Sequence, residues 1–288
     1  MSKININGSI GYTLLINNDI KVLVLSDMHS KLPYCDKDGI FVSEWLKNKF
    51  KSKILLEEVP RTETKLKELW PSSPHTQKLK DVYLSNSQVI QGVDIRPFLI
   101  PFSWELSFDK DVPNVTLREY LSYLNIFCNL KLPFFVKDLK GIYTKEYLKQ
   151  SLLGLHYVKI KRFIKQYTKT HKNYMNATIK EISKNNSLVL EKINEIISYI
   201  MEWYVIAKMY QSIIEGKKSI IIHAGLAHTT NIIKALQNMY KFKITDEDGL
   251  TNMEQYDRAT NGCLQLPSDI EKQFGGNNFN IFNNGFFT

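Results

Sequence analysis

Cysteine is scarce in this chain: Cys35, Cys128 and Cys263 are odd in number, far apart and never in a CxxC pair. That spacing excludes a zinc ribbon and fits no disulfide framework, so the expectation is a reducing compartment. Long apolar runs are missing as well. None reaches the ~18 residues that a membrane span needs, and the nearest, Ile196 to Tyr210, is interrupted by Glu202 and Lys208. The opening MSKININGSIGY has no apolar core of the signal-peptide kind, which makes a cytoplasmic (intracellular) protein with no membrane partner the expectation. Walker and dinucleotide loops are absent, and so are a GxSxG elbow, internal repeats and the common nucleic-acid-binding signatures. Nucleotide-loop enzymes and serine hydrolases of the elbow type are thereby left without support.

What is present is the composition of a globular protein, with 43% hydrophobic and 23% charged side chains over 288 residues. A chain of this length buries about three quarters of the surface it exposes when unfolded, enough for one large core. The formal charge of +9 permits attraction to nucleic acid or another polyanion. Much of that charge sits in one helical stretch from Thr144 to Thr170, among Lys145, Lys149, Lys159, Lys161, Arg162, Lys165 and Lys169.

Apolar periodicity divides the chain. Tyr12 to Leu25 reads as two β segments joined across Asn17-Asn18-Asp19, and the second is uniformly apolar, like a central strand of a parallel sheet. A helix over Phe41 to Phe50 leads to a second apolar run ending in Glu57-Glu58, and a third run precedes Asp94-Ile-Arg96-Pro97. The character then turns helical. Ile193, Ile196, Ile197, Ile200 and Tyr204 recur at steps of three and four, with Glu191, Glu195 and Glu202 on the other face and Gly216 as the stop. The α/β pattern resumes at Ser219-Ile-Ile-Ile-His223, followed by Gly225-Leu-Ala-His228 and a helix from Asn231. We therefore expect an α/β fold: a mostly parallel sheet core with helices on both faces and a large helical insertion. Residues 1–110 and 216–265 form the core, 111–215 the insertion, and 266–288 an Asn/Phe-rich tail.

Four apolar runs end in ionisable side chains: Asp27 and His29, Glu57 and Glu58, Asp94 and Arg96, then His223 and His228. Ligands of open α/β sheets bind outside the carboxyl ends of the strands, so these groups are expected to converge. Imidazole with carboxylate suits a divalent ion, Zn or Mn, whose bound water becomes a nucleophile near neutral pH. His29, Glu57 and His228 are the first ligands expected, with His223 and Asp27 as further ones. Without metal, a His held by a carboxylate serves as general base while Arg96 steadies an oxyanion. On either route His29, Glu57, Asp94 and Arg96 are the expected catalytic set.

Together, Ser26-Asp-Met-His29, Leu55-Leu-Glu57, Gly92-Val-Asp94-Ile-Arg96 and Gly225-Leu-Ala-His228 resemble the dispersed motifs of the erythromycin-esterase, ChaN and TraB/TIKI superfamily. The resemblance covers about half of the chain, and it departs from the family pattern where Ser26-Asp27 replaces Gly-Glu. It implies an α/β core with helical insertions, His29 as base or ligand, Glu57 as partner carboxylate and His228 as distal ligand. It also implies a hydrolase of an ester or amide acting on a small-molecule or peptide substrate. Val22-Leu-Val-Leu-Ser-Asp27-Met-His29 is similar in turn to the opening DxH motif of calcineurin-like phosphoesterases, whose GDxxD and GNH[DE] motifs are lacking here. A non-catalytic alternative engages a protein partner through the insertion or the C-terminal tail, and nucleic-acid binding through the basic helix has charge but no motif behind it.

Overall fold

The computed structural model describes residues 2–28, 32–35, 38–49, 51–60, 78–79, 81–83, 89–96, 115–128 and 152–275. In chain order these form strands β1 (Lys3–Asn7), β2 (Gly11–Asn17), β3 (Ile20–Asp27) and β4 (Ile40–Phe41), helix α1 (Val42–Lys47), and strands β5 (Lys53–Pro60) and β6 (Ile90–Asp94). Helices α2 (Leu117–Cys128), α3 (Leu152–Thr170), α4 (Ile179–Asn185) and α5 (Ser187–Ile214) follow. Strand β7 (Ser219–Gly225), helix α6 (Leu226–Asn238), strands β8 (Lys243–Gly249) and β9 (Cys263–Pro267) and helix α7 (Ser268–Gln273) complete the order. The tail beyond residue 275 lies outside the described residues.

The main sheet runs β6-β5-β7-β3-β2-β8. It is mixed, which corrects the mostly parallel sheet expected above. Pairs β6/β5, β5/β7 and β7/β3 are parallel, whereas β3/β2 and β2/β8 are antiparallel. The cause lies in the turn: Asn17 pairs directly with Ile20, and Asn18 takes a left-handed φ of 53°. So tight a connection makes a hairpin, and a hairpin is antiparallel. Strand β8, with Asp246, Glu247 and Asp248, forms a charged outer edge that discourages further pairing.

Alternation along β3 supplies both faces of this sheet. Val22 and Val24 pack with Leu55, Ile220 and Ile222 under helices α2 to α6, while Leu23 and Leu25 pack with Ile54, Leu56 and Ile221 on the opposite side, against Trp45 of α1 and Leu264 of β9. All four β3 side chains are fully buried, and each such burial contributes about 1.5–3 kcal/mol. Helix α5 lies across β5 and β6, so the helical segment shares its apolar core with the sheet. It ends where Gly216, at φ +88°, donates its N–H to the Ile213 carbonyl.

On the second face a small sheet, β4-β1-β9, carries a feature that the cysteine spacing did not suggest. Cys35, in the connection after β3, forms a disulfide with Cys263 of β9 across 228 residues, with Cα atoms 4.9 Å apart. The Cys35 N–H also donates to Asn7 Oδ1 at 2.7 Å, and the Gly262 N–H to the Pro33 carbonyl at 2.8 Å, so the loop is fastened on both sides. Two cysteines so remote in sequence reveal nothing by spacing; only the fold brings them together. We expect a Cys35→Ser/Cys263→Ser variant to lose about 2–5 kcal/mol of stability. In thermal melts, reductant should lower the Tm of the parent chain and leave that of the variant unchanged; equal Tm values for parent and variant would show that the bridge does not form.

Among the described residues, no helix is long and apolar enough to cross a membrane.

Candidate functional site

Strands β5 and β6 lie side by side in parallel, so Glu57 and Asp94, at or near their carboxyl ends, are carried to one end of the sheet. Arg96 follows two residues later and links them. Its Nε and Nη2 donate to Asp94 Oδ1 and Oδ2, each at 2.9 Å, a planar fork on a carboxylate. The Arg96 backbone N–H donates to the same Oδ1 at 2.9 Å, a local turn that fixes the arginine relative to the strand. Nη2 also donates to Glu57 Oε1. The other oxygen, Glu57 Oε2, accepts the N–H of Gly225 at 2.8 Å. Gly225 is the N-cap of α6, so Glu57 satisfies an orphan donor at the positive end of that helix.

His228 stands in the first turn of α6, which begins at Leu226, several residues before the expected start at Asn231. Its Nε2 lies 2.9 Å from Arg96 Nη1, and its Nδ1 lies 3.0 Å from Glu202 Oε1 of α5. A guanidinium has only donors and a carboxylate only acceptors. Nε2 must therefore accept and Nδ1 must donate, which fixes His228 as the neutral Nδ1–H tautomer. Glu57 Oε1 is 3.6 Å from the same Nε2. Asn231, one turn further along α6, donates Nδ2 to Glu202 Oε1 at 2.9 Å.

The network is almost dry. Glu57, Asp94 and Glu202 are 1%, 0% and 2% exposed, and Arg96 is 6% exposed. Burial alone would make the Arg96 guanidinium easier to deprotonate, but the fields of Asp94, Glu57 and Glu202 outweigh it and hold its pKa above the ordinary value. Three carboxylates surround one guanidinium and one neutral imidazole, so the site is acidic.

Two groups expected at the site, His223 and Asp27, stand on the opposite pleat of their strands from the residues that pack on the Leu55 side of the sheet. His223 is fully buried in β7, but its pleat is that of Ile221, which packs into the core opposite the face bearing Glu57. Asp27, also buried, ends β3 on the pleat of Leu25 and raises the pKa of Tyr34, secondarily to the effect of burial on that phenol. His29 lies outside the described residues, as does any account of the Glu58 side chain. Glu57, Asp94, Arg96 and His228 come together as expected.

Glu202 was missed because helical periodicity assigned it to a solvated face. The usable signal was its position inside the longest apolar run, where a charge is buried only with a partner. Ser26, at the end of β3, hydrogen bonds Thr229 Oγ1 at 2.9 Å and so ties α6 to the sheet directly beside the site.

His228 is 12% exposed through its side chain, and the opening is a cavity of about 650 Å3 between α3, α5 and α6. Phe163 and Tyr199 give it aromatic surface, Lys159 and Arg162 give it positive charge, and Glu202 and His228 lie in its wall. That volume suits a small molecule or a short peptide. Among the described residues, no three His, Cys, Asp or Glu side chains are grouped to hold a metal ion. The His228 Nε2 lone pair that a metal would need faces the Arg96 cation.

The fold and site thus define an α/β protein with a buried carboxylate, guanidinium and imidazole network at the strand ends. No protein-family model matches the chain, and neither a curated protein nor a solved structure matches it.

Proposed function

We propose that this protein is a hydrolase of carboxylic esters or amides that works through His228 and its carboxylate partner, without a metal-bound step. The observation that carries the reading is the placing of His228 between Glu202 and Arg96 at the wall of a substrate-sized cavity. A histidine whose Nδ1–H is held by a carboxylate is oriented to act as a base through Nε2. At rest Arg96 Nη1 covers that lone pair. A substrate carbonyl oxygen that accepts from Nη1 takes its place and leaves Nε2 free.

Water then attacks the carbonyl carbon while passing one proton to Nε2, and negative charge gathers on the oxygen facing Arg96. Glu202 and Glu57 stabilise the imidazolium as it forms. The same proton passes to the departing oxygen or nitrogen as the carbon–heteroatom bond breaks, which returns His228 to neutrality. Asp94 and Glu57 are positioning residues for Arg96, and no step is assigned to His29.

Three carboxylates against one guanidinium would repel a phosphoryl dianion, which supports an acyl substrate over a phosphoester. The similarity of Leu55-Leu-Glu57, Asp94-Ile-Arg96 and Gly225-Leu-Ala-His228 to the erythromycin-esterase, ChaN and TraB/TIKI group supports the same reaction class. The Cys35–Cys263 bridge supports an oxidising compartment over the cytoplasm.

The test is a turnover screen of p-nitrophenyl carboxylic esters and aryl amides beside bis-p-nitrophenyl phosphate, with chelator present throughout. Acyl turnover that persists in chelator is expected. Turnover confined to the phosphodiester, or abolished by chelator and restored by Zn or Mn, would overturn the proposal.

A further inference from the structure

A second concavity, of about 1010 Å3, lies on the other side of α3, against α2. Its lining includes Arg118, Lys161, Arg162, Lys165, Lys169 and Lys172, and no acidic side chain among the described residues. Lys161, Lys165 and Lys169 follow one another at four-residue steps, so they share a face of α3 and span about 12 Å. Leu121, Ile164 and Met175 make an apolar floor. Arg162, Lys165, Lys169 and Lys172 form no ion pair with the described carboxylates, although ion pairs are made elsewhere on the surface by Lys47, Lys192 and Lys218. Like charges gathered this closely repel one another, and a polyanion laid along them relieves the repulsion.

We propose that this groove binds an acidic polysaccharide, sulfated or uronate-bearing. This goes beyond the hydrolase reading, because binding here needs no catalysis. A linear polymer fits a groove in a way that a flat bilayer does not, since the concavity draws part of the charge back from a planar surface. Single-stranded nucleic acid calls for aromatic platforms on which bases stack, and among the described residues no Phe, Tyr or Trp lines the groove. Ser122, Asn125 and Gln166 alternate with the cations and present hydroxyl and amide groups of the kind that pair with sugar hydroxyls. The disulfide agrees with a protein that meets such polymers outside a reducing compartment. Arg162 and Gln166 line both this groove and the cavity at His228, so a bound chain would run beside the mouth of the cavity.

Surface plasmon resonance of the full chain tests this with three immobilised probes at about 150 mM salt: a size-defined heparin oligosaccharide, a single-stranded DNA and phosphatidylserine vesicles. Lys165→Glu/Lys169→Glu reverses two exposed groove charges. Lys234→Glu/Lys272→Glu makes the same charge change at exposed positions elsewhere. Saturable binding to the oligosaccharide is expected, weakened at least about tenfold in the groove variant and at most about twofold in the other, with a shallower salt dependence only in the former. Tighter binding to DNA or to vesicles, equal losses in the two variants, or no saturable binding to the oligosaccharide would each overturn the proposal. Because the readout is binding, the result stands apart from whether the protein turns over an ester.

Discussion

Replacing Arg96 with methionine should destabilise the protein by about 3–5 kcal/mol, because it leaves buried carboxylates without their cation. Glu57 and Asp94 are 1% and 0% exposed, so water cannot take the place of the lost guanidinium. Arg96→Lys should fall well short of rescue. An ammonium has no planar fork to satisfy both Asp94 oxygens while also reaching Glu57 and His228. A second change, Glu57→Gln, removes one of the stranded charges. Because the two side chains touch, the double variant should be less damaged than the sum of the single ones. Denaturant unfolding of the four proteins measures the cycle. Strict additivity would mean that Glu57 and Arg96 do not act on each other.

His228→Gln should lower kcat/KM for an acyl substrate by about 10²–10⁴-fold, the usual contribution of a positioned acid–base group. Glu202→Gln is the sharper probe. The side chain keeps its shape, but its amide can present N–H to Nδ1 and so favour the proton on Nε2, where it would oppose the Arg96 N–H. A loss approaching that of His228→Gln is therefore expected, with the fold intact by circular dichroism. If Glu202→Gln were fully active, the carboxylate would have no part in the reaction, and His228 would have to act alone.

Much of the frame was legible because buried strands announce themselves by uninterrupted apolar runs. Val22 to Leu25, Ile54 to Leu56, Ile90 to Val93 and Ile220 to Ile222 all became neighbouring strands, and their ends delivered Glu57, Asp94, Arg96 and His228 to one place. Strand β8 was invisible to that signal, since Lys243–Gly249 is polar and almost wholly exposed at the edge. The mixed sheet was missed for a different reason. The turn at Asn17–Asp19 is legible as turn chemistry, but strand direction depends on how tightly it closes, and that closure, Asn17 against Ile20, makes β2 the antiparallel partner of β3. His223 looked equivalent to His228, yet strand alternation sends it to the other face while the helix carries His228 into the network. Glu202 and the Cys35–Cys263 bridge depend on packing between distant segments, and neither periodicity nor spacing encodes that.

The most direct test is the proton on the His228 ring, read by long-range 1H–15N correlation of histidine-labelled protein near neutral pH. The arrangement requires a neutral ring with hydrogen on Nδ1 and a bare, hydrogen-bonded Nε2, and it requires that pattern to change in Arg96→Lys and in Glu202→Gln. A ring protonated on Nε2, or one indifferent to both substitutions, would contradict the account of a base held between carboxylate and guanidinium.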